Sequence, residues 1–482
     1  MPNGGGSARG EAQPRERRWL AYLPTCVALG YGIGLSIFPL AVEPLTADSA
    51  SYLELSPRRT TGYPLFLALL RQLSDGLHVV QLAQVWLFSA SLALLGHALV
   101  RCLHSPQRAT LALLAIAANP FLAKYHFQIL TESVFSSLGV AIVALLALCL
   151  ESPRTARLCA LGAAIAAAIA VRPVGWAFVP TPPLLLLLGW RRFGGARLRT
   201  LVAPLGVIAA LGAVEMGAAR ALHGDARTSV GPVTFFAKSA LIRVPEPAPF
   251  SAGHPYRPVW DAVEALAPLR KLIAEAPALG GRIYLLEHYE VALQHFWALP
   301  LLEEAARAGG ESLDAVRSVI AWARMRRAPA ESLWLAAVEW WGLWTPYSAF
   351  HPWNAPRINA YLESRQPLPV LSQGAPGPLH ARNAALVTVP VMLAALAGTL
   401  ATMMWGGVRL ARGVSLEPAA ALALLCALAV HGHLLLVAFT GIGIPRYALA
   451  TWPMLMVWAI ATSALLKRKP RTADLDARIP PN

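Results

Sequence analysis

Apolar runs long enough, or nearly long enough, to cross a bilayer recur along this chain, at about 19–42, 79–100, 109–124, 129–150, 157–173, 174–190, 200–222, 383–408, 416–440 and 447–466. No other feature restricts the fold as severely. A backbone in hydrocarbon must satisfy its own polar groups, and runs of this length do so as helices. Composition agrees: 56% of residues are hydrophobic and only 14% are charged, against about 25% charged in a soluble domain. The chain is expected to be all-α, a polytopic helical membrane protein with about ten spans.

Its charges test that count. Arg15, Arg17 and Arg18, then Arg101 and Arg108, Arg154 and Arg157, Arg191 to Arg199, Arg409 and Arg412, and Lys467 to Arg471 fall between alternate runs. Ten spans with both termini cytoplasmic put every one of these clusters inside, as the positive-inside rule requires. The first run is longer than a signal-peptide core and reads as an uncleaved span. The formal charge of +15 is no sign of nucleic acid. Residues 223–381 carry 14 acidic and 14 basic residues, leaving 12 acidic and 27 basic, mostly in the short loops and tails. Five cysteines without a CxxC pair imply neither a disulfide framework nor a zinc site.

The organisation that follows is a disordered cytoplasmic tail (1–18), a membrane module (19–222), an external domain (223–381) inserted between spans seven and eight, the last membrane helices (382–466) and a cytoplasmic tail (467–482). The insert is too long for a connector. Apolar spacing over Pro258–Ala276, Gly281–Ala308 and Glu311–Arg327 predicts amphipathic helices, so the domain should be mostly helical. The tryptophans that follow, Trp334, Trp340, Trp341, Trp344 and Trp353, fit either a helix in the headgroup layer or a packed external core.

Polar residues at the outer ends of the spans are the candidates for chemistry, because charge beside hydrocarbon is costly. Asp48 follows the first span in Thr46-Ala47-Asp48-Ser49, with Tyr52, Arg58 and Arg59 behind it and Gly62-Tyr63-Pro64-Leu65-Phe66-Leu67 returning as an apolar helix. Asp48 can cap a short helix and can also serve as a base. Guanidinium groups suit phosphate or pyrophosphate. Lys124, His126 and Glu132 cluster where the fourth span begins. Arg172-Pro173 interrupts the fifth, Glu215 lies one turn from Arg220 in the seventh, and Arg446-Tyr447 precedes the last. There is no GxxxxGK[ST], HExxH or GxSxG, so ATP hydrolysis and zinc proteolysis have no support.

Taken in order, these landmarks resemble the polytopic GT-C class of glycosyltransferases, and more narrowly bacterial relatives of protein O-mannosyltransferase and the lipid A aminoarabinose transferase. The resemblance covers roughly residues 19–190 and 440–466; the insert matches in position and size alone. It implies sugar transfer from a polyprenyl-phosphate-linked donor to a lipid, glycan or protein acceptor on the outer face of a bacterial inner membrane. Asp48 would be the general base and Glu132 a second catalytic carboxylate. Tyr52, Arg58, Arg59, Tyr63, Lys124, His126, Arg172, Arg446 and Tyr447 would bind substrate. Ser49 stands where some members have a second acid, so no metal site is expected. No cofactor is expected either, although a divalent cation is compatible with the phosphate. Besides the two substrates, the expected partners are membrane lipids. A lipid-linked-sugar flippase, an O-antigen polymerase or ligase, and a non-catalytic scaffold are the rival readings. No internal repeat of the kind common in transporters is visible.

Overall fold

The computed structural model describes residues 19–224, 230–245, 247–295, 297–365, 376–441 and 443–466. The expected tails (1–18 and 467–482) and parts of the 223–381 insert lie outside the described residues. Among the described residues every regular element is a helix. A 3₁₀ turn over Trp19–Tyr22 leads into α1 (Leu23–Ile37), followed by α2 (Ser49–Leu53), α3 (Gly62–Arg71), α4 (Leu77–Leu103), α5 (Pro106–Ala117), α6 (Pro120–His126), α7 (Thr131–Glu151), α8 (Thr155–Val171), α9 (Thr181–Phe193) and α10 (Arg197–His223). Then come α11 (Val230–Ala240), α12 (Arg257–Glu264), α13 (Ala267–Ala274), α14 (Ala278–His295), α15 (Leu299–Gly309), α16 (Leu313–Arg327), α17 (Pro329–Trp344) and α18 (Ala355–Glu363). The chain closes with α19 (Asn383–Ala411), α20 (Pro418–Thr440), α21 (Pro445–Leu449) and α22 (Trp452–Leu466).

Among the described residues six helical stretches are long and apolar enough to cross a membrane: Leu20–Ile37, Leu77–Leu103, Thr131–Glu151, Pro173–His223, Ala384–Ala411 and Pro418–Thr440. Thr155–Val171 and Trp452–Leu466 are apolar but shorter. The run expected over 109–124 breaks where Asn119 precedes Pro120: the Asn119 side chain accepts from the Phe121 and Leu122 amides, at 3.0 and 3.3 Å, and starts α6. Pro173–His223 is not one rod. Gly194, at φ +45°, ends α9 before α10 begins.

Two cores form. In the larger, α7 is buried along almost its whole length between α4, α8 and α20. A helix that is apolar all round belongs at such a centre. The second is built from α11 to α17 around Trp260, Val263, Leu269, Leu285 and Ile320. Helix α17 joins them. Leu335 and Val338 sit in the second core, whereas Leu343 and Trp344 sit in the first. Neither expectation for the tryptophans holds alone: Trp344 is fully buried against the membrane helices, while Trp334 and Trp353 are exposed.

Corrections in this region have local causes. The helix expected over Pro258–Ala276 turns at Ala265-Leu266 into α12 and α13. The one over Gly281–Ala308 is divided by Ala298, whose φ of +59° starts α15. Glu311–Arg327 is a helix as expected, capped by Ser312 accepting from the Ala315 amide at 3.2 Å.

Candidate active site

The segment between α1 and α3 is fixed before it can present any side chain. The Ser49 hydroxyl accepts from the Thr46 amide at 2.8 Å and donates to the Ile129 carbonyl at 3.0 Å. The Ile129 amide in turn donates to the Pro44 carbonyl at 2.9 Å. This stitching holds the first loop against the start of α7. Gly62 lets α3 come equally close to α8, since a Cβ there would meet the Ala170 carbonyl at 2.6 Å. Glu215, expected to pair with Arg220, accepts from the Thr61 amide and hydroxyl at 3.4 and 3.2 Å.

Upon this frame five charged side chains converge from four remote stretches. Asp48 accepts from Arg59 Nη2 at 2.7 Å and from Arg446 Nη2 at 3.1 Å. Glu132 Oε1 lies 3.2 Å from Arg172 and 3.4 Å from Arg446. Arg446 therefore bridges the two carboxylates. Aromatic rings orient the cations: Arg59 stacks over Tyr52 at 4.5 Å, and Arg172 over Tyr447 at 4.2 Å. Arg59 also donates to the Ser51 hydroxyl at 2.9 Å.

Two carboxylates against three guanidinium groups leave one positive charge in surplus. Burial alone would raise the Asp48 carboxyl, but Arg446 and then Arg59 outweigh it and hold it below the ordinary carboxylate value. Asp48 occupies the position before α2, yet its side chain makes no capping bond. Its cap role is thus replaced by two arginines. The carboxylate keeps about a third of its surface open, so a ligand can reach it.

Several expected site residues are not brought to this cluster. Arg58 is exposed, whereas Arg59 is half-buried. Lys124 is also exposed. His126 is fully buried, with Nδ1 on the Ser133 hydroxyl at 2.7 Å and Nε2 on the Tyr31 hydroxyl at 2.9 Å, which makes it a satisfied core residue. Tyr63 lies beneath the site: its ring meets Tyr52 edge-on at 5.2 Å and its hydroxyl donates to Gln84 at 3.1 Å. Among the described residues no three His, Cys, Asp or Glu side chains converge as metal ligands.

Arg446 also lines an apolar groove of about 350 Å³ between α5, α6, α19, α21 and α22. Its walls include Phe121, Val391, Met392, Leu449 and Leu455, with Tyr125 and Tyr347 also contributing. Phe121, Val387 and Val391 are themselves exposed, so the groove opens on the outer apolar surface of the helices. Tyr347 was invisible to sequence reasoning. It comes from the chain after α17, in a left-handed conformation at φ +65° that carries no periodic signal.

Comparison with protein-family models, with curated proteins and with solved structures finds no match.

Proposed function

We propose that the chain is a membrane glycosyltransferase that moves a sugar from a polyprenyl-phosphate-linked donor to an envelope lipid, glycan or protein. In this reading ten spans place both termini in the cytoplasm of a bacterial inner membrane, and the Asp48 site with the 223–381 domain faces outward. One observation carries the reading: a carboxylate and a surplus guanidinium charge stand at the head of a groove apolar enough for hydrocarbon.

The chemistry needs little else. An acceptor hydroxyl gives its proton to Asp48 as its oxygen forms a bond to the anomeric carbon. The carbon–oxygen bond to the phosphate breaks, and the electron pair leaves with the polyprenyl phosphate. A phosphate monoester is already a good leaving group, its second ionisation lying near pH 6, so one base and a set of cations suffice. A single displacement inverts the anomeric centre. As the donor phosphate draws Arg446 and Arg59 toward itself, Asp48 loses the partners that depress its basicity. Glu132 and Tyr447 keep Arg172 in place while this occurs.

Transfer of radiolabelled sugar by the purified chain tests the proposal. Transfer from a polyprenyl-monophosphate donor that disappears in Asp48→Asn is expected. Full activity in that variant overturns the base assignment. Transfer only from a pyrophosphate oligosaccharide would indicate a polymerase or ligase, and movement of the donor across vesicles without transfer a flippase.

A further inference from the structure

A second concentration of arginines sits where α9 ends and α19 turns into α20. These residues belong to the loops expected inside, opposite the Asp48 site. The two arginines that end α9 have different fates. Arg192 is consumed by the fold: Nη1 donates to the Leu150 carbonyl at 3.2 Å and Nη2 to the Leu416 carbonyl at 3.1 Å. It ties the end of α7 to the start of α20. Arg191 is exposed and has no hydrogen bond or ion pair among the described residues.

Beside Arg191 lies a cavity of about 360 Å³, lined by Leu187, Trp190, Arg191, Leu410, Val414 and Ser415, among others, with no acidic side chain in its lining. Gly413 keeps it open. Its φ of +67° forms the turn after α19, and Arg191 Nη2 lies 3.3 Å from where a Cβ would stand. Arg197 adds positive charge at the rim, donating to the Trp190 carbonyl at 2.9 Å and stacking over its ring at 4.4 Å. Leu187 and Trp190 are more than half exposed and continue the outer apolar face of the bundle. The cavity is therefore cationic at one wall and open to hydrocarbon at another. Free phosphate would use only the first of these, whereas a phospholipid uses both.

We propose that this cavity binds an anionic glycerophospholipid, with Arg191 holding the phosphate, Ser415 beside it, and Leu187, Trp190 and Val414 receiving the first methylenes of an acyl chain. The site is independent of the transfer reaction and stands or falls apart from it.

Thermal unfolding of the purified full chain in neutral detergent tests the proposal, with dioleoyl-phosphatidylglycerol, dioleoyl-phosphatidylcholine or inorganic phosphate added. Phosphatidylglycerol is expected to raise the midpoint saturably, and the other two are not. Arg191→Gln should weaken the apparent phosphatidylglycerol affinity about tenfold, as loss of a charge-assisted phosphate contact does. Arg199→Gln, an exposed arginine outside the cavity lining, should leave it within about twofold. An unchanged affinity in Arg191→Gln overturns the site, and an equal shift from inorganic phosphate overturns the lipid. Should Arg191→Gln fail to fold, Val414→Trp fills the cavity without touching a charge: loss of the lipid effect supports the site, and its retention overturns it.

Discussion

Two charge clusters lie on either side of one short loop, and they are opposite in kind. The Asp48 cluster has two carboxylates, three guanidinium groups and an open edge. The other, inside the second core, joins Lys238 of α11 to Glu290 of α14 at 3.5 Å and, more closely, to Glu339 of α17. All three side chains are almost fully buried. Two acids face one base there, and Glu290 Oε1 and Oε2 and Glu339 Oε1 lack hydrogen-bond partners. A buried negative surplus cannot persist, so the pair of glutamates retains a proton: burial, reinforced for Glu290 by the neighbouring Glu339, raises its affinity for one, and Glu339 is pushed up to about 7. The difference teaches what each is for. In the proposed reading the spare positive charge at an open edge receives the donor phosphate, whereas the closed triad joins α11, α14 and α17. The second cluster packs against the loop before Arg446. A Cβ on Gly443 would lie 3.4 Å from that of Glu339, and Thr234 donates to the Thr440 carbonyl at 2.9 Å.

Removal of one group from each cluster gives the largest effects and the sharpest contrast. Asp48→Asn should lower transfer by about 10²–10⁴-fold, the usual contribution of a general base, and should lower the thermal midpoint by less than Lys238→Met does, because the side chain is partly solvated. Lys238→Met should do the reverse first, destabilising the fold by about 3–5 kcal/mol by stranding buried carboxyls. Denaturant unfolding measures it, and adding Glu339→Leu should recover part of the loss. If Lys238→Met left stability intact, the triad would not be the clamp described.

Acid and base separate the clusters next. A carboxyl whose folded affinity for protons is raised contributes stability at low pH and loses it as pH rises through the folded value. The triad should therefore weaken as pH climbs from about 4.5 through about 7, by at most about 1.4 kcal/mol per pH unit for one proton. Asp48 is depressed, with its burial outweighed by Arg446 and Arg59. Its contribution is present above the ordinary carboxylate value and is lost as pH falls below it. Thermal midpoints against pH check both, and Glu290→Gln should flatten only the loss between about 4.5 and about 7.

How these parts were legible differs in the same way. Apolar runs and arginine-bearing loops give the helical architecture, because hydrocarbon leaves a backbone few options. The sequence also singles out Asp48, Glu132, Arg172 and Arg446, since each is a charge at the edge of an apolar run. What it does not give is pairing. Nothing in the spacing says that Arg446 reaches Asp48 across 398 positions, nor that His126 turns inward to Ser133 and Tyr31. Nor does the sequence single out the Lys238 triad, whose members look like ordinary surface charges of amphipathic helices. Only tertiary packing closes α11, α14 and α17 around them.

The finest test lies within one dipeptide. Arg58 and Arg59 are equivalent to any reading of composition or charge, yet Arg58 is exposed, while the Arg59 amide returns to the Ser56 carbonyl at 3.0 Å and its side chain lies along Tyr52 to Asp48. Arg59→Ala removes a cation from the open cluster and should cost about tenfold in transfer, the loss of one charge-assisted contact. Arg58→Ala removes an exposed cation and should change transfer by less than about twofold. Equal losses, measured as kcat/KM for the lipid donor at fixed salt, would mean that phosphate is drawn by the general field of the loop. The unequal result would assign phosphate binding to the geometry that Asp48 organises.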